Sequence, residues 1–194
     1  MNYIDALAVL KEGTDILEQL QCKWWLSAGT ALGAYRDNFD RKFVERDTDL
    51  DVGVLNDDDP EKCDALYTRI KNMYLSVGFT EMRTYRGNGY WTQLALAKNG
   101  IIFDIYFFYK VTKNTIASFT EHGVMYKPYE LIDNLEKIQI VDNSYFIPTP
   151  IEQYLVVRYG KDWRTPSSAK ISWEQECANV DGRKATVTDF KMGG

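Results

Sequence analysis

Ile4, Leu7, Leu10, Ile16, Leu17 and Leu20 recur at three-to-four-residue spacing, so the chain opens on an amphipathic helix with one apolar face. "KWWLSAG", residues 23–29, is a short apolar run broken by Gly29 and reads as a first strand. "TALGAYRD" after it reads as a short helix. "DTDLDVGVL", residues 47–55, alternates acidic and other residues before turning apolar, and reads as a second strand. A second long helix follows. Asp58 or Asp59 can cap it, Pro60 suits its first turn, Glu61 lies near its positive end and Gly78 closes it. Leu66, Ile70, Met73 and Val77 are predicted to face inward.

"FTEMRTYR", "YWTQLALAK" and "IIFDIYFFY" then predict three strands, the last two joined at Asn99-Gly100, a strong hairpin signal. "KIQIVDNSYFIPTP" predicts another hairpin, turning at Asp142-Asn143-Ser144. "IEQYLVVRYG" predicts a helix ended by Gly160. From Ser167 the periodicity thins, and a peripheral helix with a loose end is expected. The order of elements predicts an α/β (α+β) fold, a mixed sheet flanked by helices, with one domain over 1–166 and an appendage over 167–194.

With 45% hydrophobic and 26% charged residues in 194, the chain can bury a real core. A net charge of −5 argues against nucleic acid held by bulk electrostatics, which needs a basic face. Cys22, Cys63 and Cys177 are far apart and odd in number, and His122 is the only histidine, which argues against structural zinc and a disulfide framework. Reduced thiols in the cytoplasm are the expectation. The charged residues Asp5, Lys11, Glu12 and Asp15 set the first helix apart from a signal peptide, and no apolar run approaches a membrane span.

The candidate chemistry lies in the acids. In an extended strand, residues two apart share a side, so Asp49 and Asp51 point together while Leu50 and Val52 point into packing. Asp47 joins them if the strand starts early. Like charges this close drive a pKa upward, and a divalent cation removes the penalty, since hard oxygen ligands suit Mg²⁺ or Mn²⁺. Asp104 is a single charge within an apolar strand and needs a partner. If its strand lies beside the first acidic one, it completes a three-carboxylate site. By contrast, "NDDDP" at 56–60 reads as a solvated helix start.

Upstream, Ser27, Gly29 and Thr30 stand between a strand and a helix, where backbone amides can cradle phosphate, and Arg36 lies two turns on as a bidentate donor. The competing reading gives Gly29 and Gly33 only turn and packing roles. Most of the aromatics are expected in the core, with Tyr85, Tyr90 and Trp91 beside the "RGNGY" turn as candidates to stack on a sugar or base. Arg158, Tyr159, Lys161 and Arg164 are either anion ligands or a solvated helix end.

"LSAGTALGAYRD…RDTDLDVGV" resembles the nucleotidyltransferase-fold signature and, more closely, the LicD/fukutin-type phosphotransferases. In that family a Gly-Thr-Leu-Leu-Gly segment and an arginine precede an aspartate-rich strand. "PTPIEQYLVVRYGKDWRTP" is similar to its closing Tyr-Gly-x-x-Trp segment, so the landmarks span about residues 24–166. The resemblance implies a nucleotidyltransferase-like catalytic domain that moves a phosphate-linked group from a nucleotide-activated donor, typically a CDP-alcohol, to a glycan or other hydroxyl acceptor. It implies Asp49, Asp51 and Asp104 as metal-binding and catalytic acids. Phosphoryl chemistry then makes Asp104, expected on the attacking side, the carboxylate that takes the acceptor's proton. The resemblance matches Gly29 and Thr30 to the phosphate loop and Arg36 to the arginine after it. One departure is "VERD" where the family often has Pro-Trp, in a polar loop expected beside the substrate. Two other functions suit the same residues: transfer of a nucleoside monophosphate from an NTP, or a non-catalytic binding module of the same fold.

Overall fold

The computed structural model describes residues 1–56, 59–87, 89–120 and 123–166. The candidate cap Asp58, His122, Cys177 and the expected C-terminal appendage lie outside the described residues.

The chain opens with α1 (Tyr3–Gln19), capped by Asn2, whose side chain accepts from the amides of Ile4 and Asp5. Its buried face is Ala6, Val9, Leu10, Gly13, Ile16 and Leu17, whereas Ile4 stays exposed. β1 (Trp24–Leu26) leads into α2 (Ala28–Arg36). The polar stretch expected as a loop is instead a short helix, α3 (Arg41–Arg46). Asp40 caps it by accepting from the Phe43 amide at 2.7 Å, and Phe43 lies so close to Gly33 that a methyl there would meet its ring at 2.1 Å. A cap and one aromatic anchor therefore outweigh the charged composition.

β2 (Asp49–Asn56) carries the alternating acids. In α4 (Pro60–Ser76) the inward residues are Cys63, Tyr67, Ile70 and Tyr74, with Leu66 and Met73 only partly buried and Val77 exposed. The face is rotated from the one predicted because Tyr67 and Tyr74 carry the burial. Tyr74 donates to the Gly13 carbonyl at 2.6 Å and ties α4 to α1. β3 (Thr80–Gly87), β4 (Tyr90–Lys98) and β5 (Ile101–Thr112) follow, with Asn99 and Gly100 both at positive φ in the tight turn between the last two. β6 (Thr115–Thr120) and β7 (Gly123–Pro128), not foreseen from the sequence, extend the sheet from β5, and α5 (Glu130–Asp133) is a single turn after them. β8 (Glu136–Ile140) and β9 (Asn143–Ile147) form a separate hairpin that turns at Val141 and Asp142, and α6 (Ile151–Tyr159) closes the order.

The main sheet runs β1-β2-β5-β4-β3, with β6 and β7 continuing beside β5. β2 and β5 are parallel and every other pair is antiparallel, so the sheet is mixed as expected. α1 and α4 cover one face, where Leu50, Val52, Val54, Phe103, Ile105, Phe107, Leu94 and Leu96 are all fully buried. The other face carries Asp49, Asp51 and Asp104 along its centre and a smaller apolar cluster of Trp25, Phe108, Ile116 and Ile132. At its edge the Trp25 ring lies flat over Gly53, its register partner. A Cβ at 53 would stand 2.4 Å from Trp25 Cε2. Gly53→Ala is therefore expected to cost about 1–3 kcal/mol through overpacking, read as a lower urea midpoint at unchanged slope; a neutral substitution would show that Trp25 is free to move aside.

Candidate active site

The parallel pairing sets Asp51 opposite Asp104 and Asp49 opposite Ile102. Because side chains alternate along both strands, in-register residues share a face, and the acids converge. One carboxylate oxygen from each of Asp49, Asp51 and Asp104 lies within 4.8 Å of the others. Asp104 has no exposed surface and Asp51 is 6% exposed, so two of the three are buried among like charges. Among the described residues Asp104 Oδ1 makes no hydrogen bond of good geometry, Oδ2 accepts from Arg83 at 3.1 Å, and the Gln93 side chain beside the carboxylate favours its charged form. A buried carboxylate oxygen without a well-placed donor is costly unless something positive fills the space before it. Three hard oxygen donors at this separation fit a divalent cation.

The strand is held at the right height by the turn above it. Ser27 donates its backbone N–H to the Asp51 carbonyl at 3.0 Å, and the Thr30 hydroxyl accepts from the Asp51 amide at 2.7 Å. The Gly29 amide donates to Asp51 Oδ2 at 3.1 Å. A methyl at Gly29 would lie 3.0 Å from Asp47 Oδ2 and 3.4 Å from Asp51 Oδ2, so glycine is what lets these carboxylates approach the helix start. Asp47, at the end of α3, thus belongs beside the cluster. Ser27 Oγ shares a hydrogen bond with the Tyr154 hydroxyl at 2.9 Å, and the Ala28 amide donates to the same oxygen. The first two amides of α2 are therefore turned to Tyr154 and Asp51. Arg36 binds Asp37 through Nε and Nη2 and the Trp163 carbonyl through Nη1, and so ties α2 to the segment after α6.

Positive charge enters from two elements. Arg158 on α6 is half-buried and acts electrostatically on Asp51. Burial and the neighbouring Asp49 push the Asp51 pKa well above the ordinary carboxylate range, with Arg158 opposing them. Arg83 on β3 was not singled out in the sequence, where it looks like one more polar residue of a strand. No spacing rule links it to Asp104, and only the strand order β5-β4-β3 does. Of the other candidates, Arg164 pairs with Glu152 and lies over the Trp163 ring. Trp91 stacks on Tyr67 and donates to Asp64, Tyr90 stacks on Phe119, and Tyr85 remains exposed. Tyr85 falls in register with Gln93 and Gln93 with Tyr106, one row along from the acids.

Burial pushes the Asp104 pKa up to about 6, with Arg83 opposing and Asp49 adding to the rise. The folded chain thus holds this proton more tightly than the unfolded chain. Without metal, the stabilising contribution is full below about pH 4 and is lost as pH rises towards 6, on the order of 3 kcal/mol in all. Asp104→Asn cannot ionise. In EDTA, its unfolding free energy relative to the unsubstituted chain is expected to grow between pH 4.5 and 7 in urea titrations, and parallel pH profiles would contradict the burial of charge described here.

Residues 21–150 match the family described as LicD/FKTN/FKRP, nucleotidyltransferase domain. The ribitol-5-phosphate transferase FKTN of Homo sapiens and that of Macaca fascicularis are each 24% identical to this chain over 92% of its length. The mouse (Mus musculus) counterpart is similar to the same degree. The chain spans about two-fifths of these relatives, 39% of their length. Among solved structures, the lincosamide antibiotic adenylyltransferase LnuA bound to lincomycin superposes with a TM-score of 0.56 at 10% identity, over 88% of this chain and 92% of that one. That likeness is one of fold. Two-thirds of the sequence lies inside the matched domain, and the chain belongs to the LicD/FKTN/FKRP nucleotidyltransferase-domain family.

Proposed function

We propose that the chain is a metal-dependent transferase that moves a phosphate-linked group from a nucleotide-activated, CDP-alcohol-like donor to a hydroxyl acceptor such as a glycan. The observation that carries this reading is the convergence of one carboxylate oxygen each from Asp49, Asp51 and Asp104 within 4.8 Å of one another, two of the three acids being buried. The ribitol-5-phosphate transferase relatives support the donor class. Asp49, Asp51 and Asp104 would hold Mg²⁺ or Mn²⁺, with Asp47 within reach, and the ion would supply charge neutralisation at the donor's phosphates.

The chain's own groups do the rest. Asp104 accepts the proton of the acceptor hydroxyl. The acceptor oxygen forms a bond to phosphorus as the phosphorus–oxygen bond to the departing nucleoside monophosphate breaks. Arg158 offsets the negative charge on Asp51. Ser27 and Thr30 keep β2 in place against α2 and α6. For Ser27, Gly29 and Thr30 to cradle phosphate, the Gly29 amide would leave Asp51 Oδ2, which becomes easier once the carboxylate charge is balanced. Arg36 would likewise exchange Asp37 for phosphate.

Asp49→Asn and Asp51→Asn are each expected to lower turnover by more than the ~10–100-fold that loss of an outer-shell partner costs, with the fold intact. Substrate class is read from thermal shifts in Mg²⁺ with CDP-alcohols, sugar nucleotides and NTPs, where a ligand at a hundred times its Kd adds about 2.7 kcal/mol. Protection by CDP-alcohols supports this reading. Protection by NTPs alone favours nucleoside monophosphate transfer, and full activity of either variant rejects the acid centre as the site of chemistry.

A further inference from the structure

Arg83 and Asp104 are separated by a whole strand. β3 and β5 flank β4, so at roughly 4.8 Å per strand the ion pair spans about 10 Å. Only a long side chain crosses that gap, and only if nothing stands between. Ala95 of β4 is in register with both Arg83 and Asp104 and is fully buried, so its single methyl leaves the path open. The two partners differ sharply in environment: the Arg83 side chain is 43% exposed and the Asp104 side chain not at all. The contact is one hydrogen bond, from Nη2 to Oδ2 at 3.1 Å, and among the described residues it is the only hydrogen bond Arg83 makes. A half-exposed guanidinium thus sits over a buried carboxylate as a cover, held by one donor with the rest of its planar fork facing outward.

Such a pair is weak by its nature, since solvent screens the arginine. Carboxylates engaged by a divalent cation no longer need it, and a guanidinium left beside that cation is repelled unless an anion accompanies it. Its fork matches phosphate better than any other side chain does. We infer that Arg83 is an anion ligand of this site: it covers Asp104 in the empty protein and turns onto a phosphate of the donor when the acids are occupied. The inference rests on the metal-dependent reading above and adds to it a residue with two alternative partners. It places one phosphate contact on the Asp104 side of the acid centre, where the exposed Tyr85 lies two residues along β3 from Arg83.

The test uses Mn²⁺ and inorganic pyrophosphate as probes on the full chain. Mn²⁺ binding followed by electron paramagnetic resonance is expected to be no weaker, and up to several-fold tighter, in Arg83→Ala, because a competing cation has been removed. Pyrophosphate binding at saturating Mn²⁺, followed by calorimetry, is expected to weaken by about tenfold or more in Arg83→Ala, with partial recovery in Arg83→Lys, which keeps charge but loses the fork. A merely structural arginine would leave pyrophosphate affinity unchanged, and that result overturns the inference while the metal centre stands. Absence of Mn²⁺ binding in the unsubstituted chain would remove the metal-dependent reading and this one with it.

Discussion

The structure depends on one pairing, the parallel ladder between β2 and β5. Among the described residues it is the only parallel contact in the main sheet, and it places Asp51 directly opposite Asp104. A slip of β2 by one residue would turn Asp49 and Asp51 to the other face, into the layer of α1 and α4 and away from Asp104. The register is fixed by that layer. Leu50, Val52 and Val54 lie on the same side as Phe103, Ile105 and Phe107, all fully buried, and hydrophobic burial at six positions outweighs the repulsion of the acids on the reverse side. Packing on one face thereby imposes an unfavourable charge arrangement on the other, and the unfavourable side is where chemistry is proposed.

The electrostatic cost is met locally and incompletely. Gly29 lends an amide to Asp51, Arg158 a charge, and Arg83 a single hydrogen bond to Asp104. Even so, both buried acids remain with raised proton affinity, and one oxygen keeps no donor of good geometry. A site built only for stability would have closed these gaps with further donors or replaced the acids by apolar residues. The residual imbalance is the reason a divalent cation is the natural complement.

Much of this was legible in the sequence, and the parts that were not share a cause. The strand alternation of Asp49, Asp51, Leu50 and Val52, and the lone charge of Asp104 among apolar neighbours, report burial directly and predicted the convergence that the register produces. Asn99-Gly100 marked its turn because the backbone there needs positive φ at two residues. Features set by distant partners left no local trace. Arg83 is near Asp104 only because β4 lies between their strands with an alanine at the crossing point. On α4 the expected Ile70 is buried, but Tyr67, Tyr74 and Cys63 rather than Leu66, Met73 and Val77 complete the inward face, and α3 left no apolar periodicity because one phenylalanine seated on Gly33 anchors it. The amides at the start of α2 were legible as donors, whereas their acceptors, Asp51 and the Tyr154 hydroxyl, were not.

The hydrogen bond between Ser27 and Tyr154 joins the beginning of the fold to its last described helix. That helix also brings Arg158 to Asp51. Lifting α6 away would strip a hydroxyl from the β1–α2 turn and a positive charge from the acidic strand in the same motion. Local opening of α6 would therefore be sensed as a change in acidity at the middle of the sheet, and the docking of this helix and the proton occupancy of the carboxylates would be thermodynamically linked.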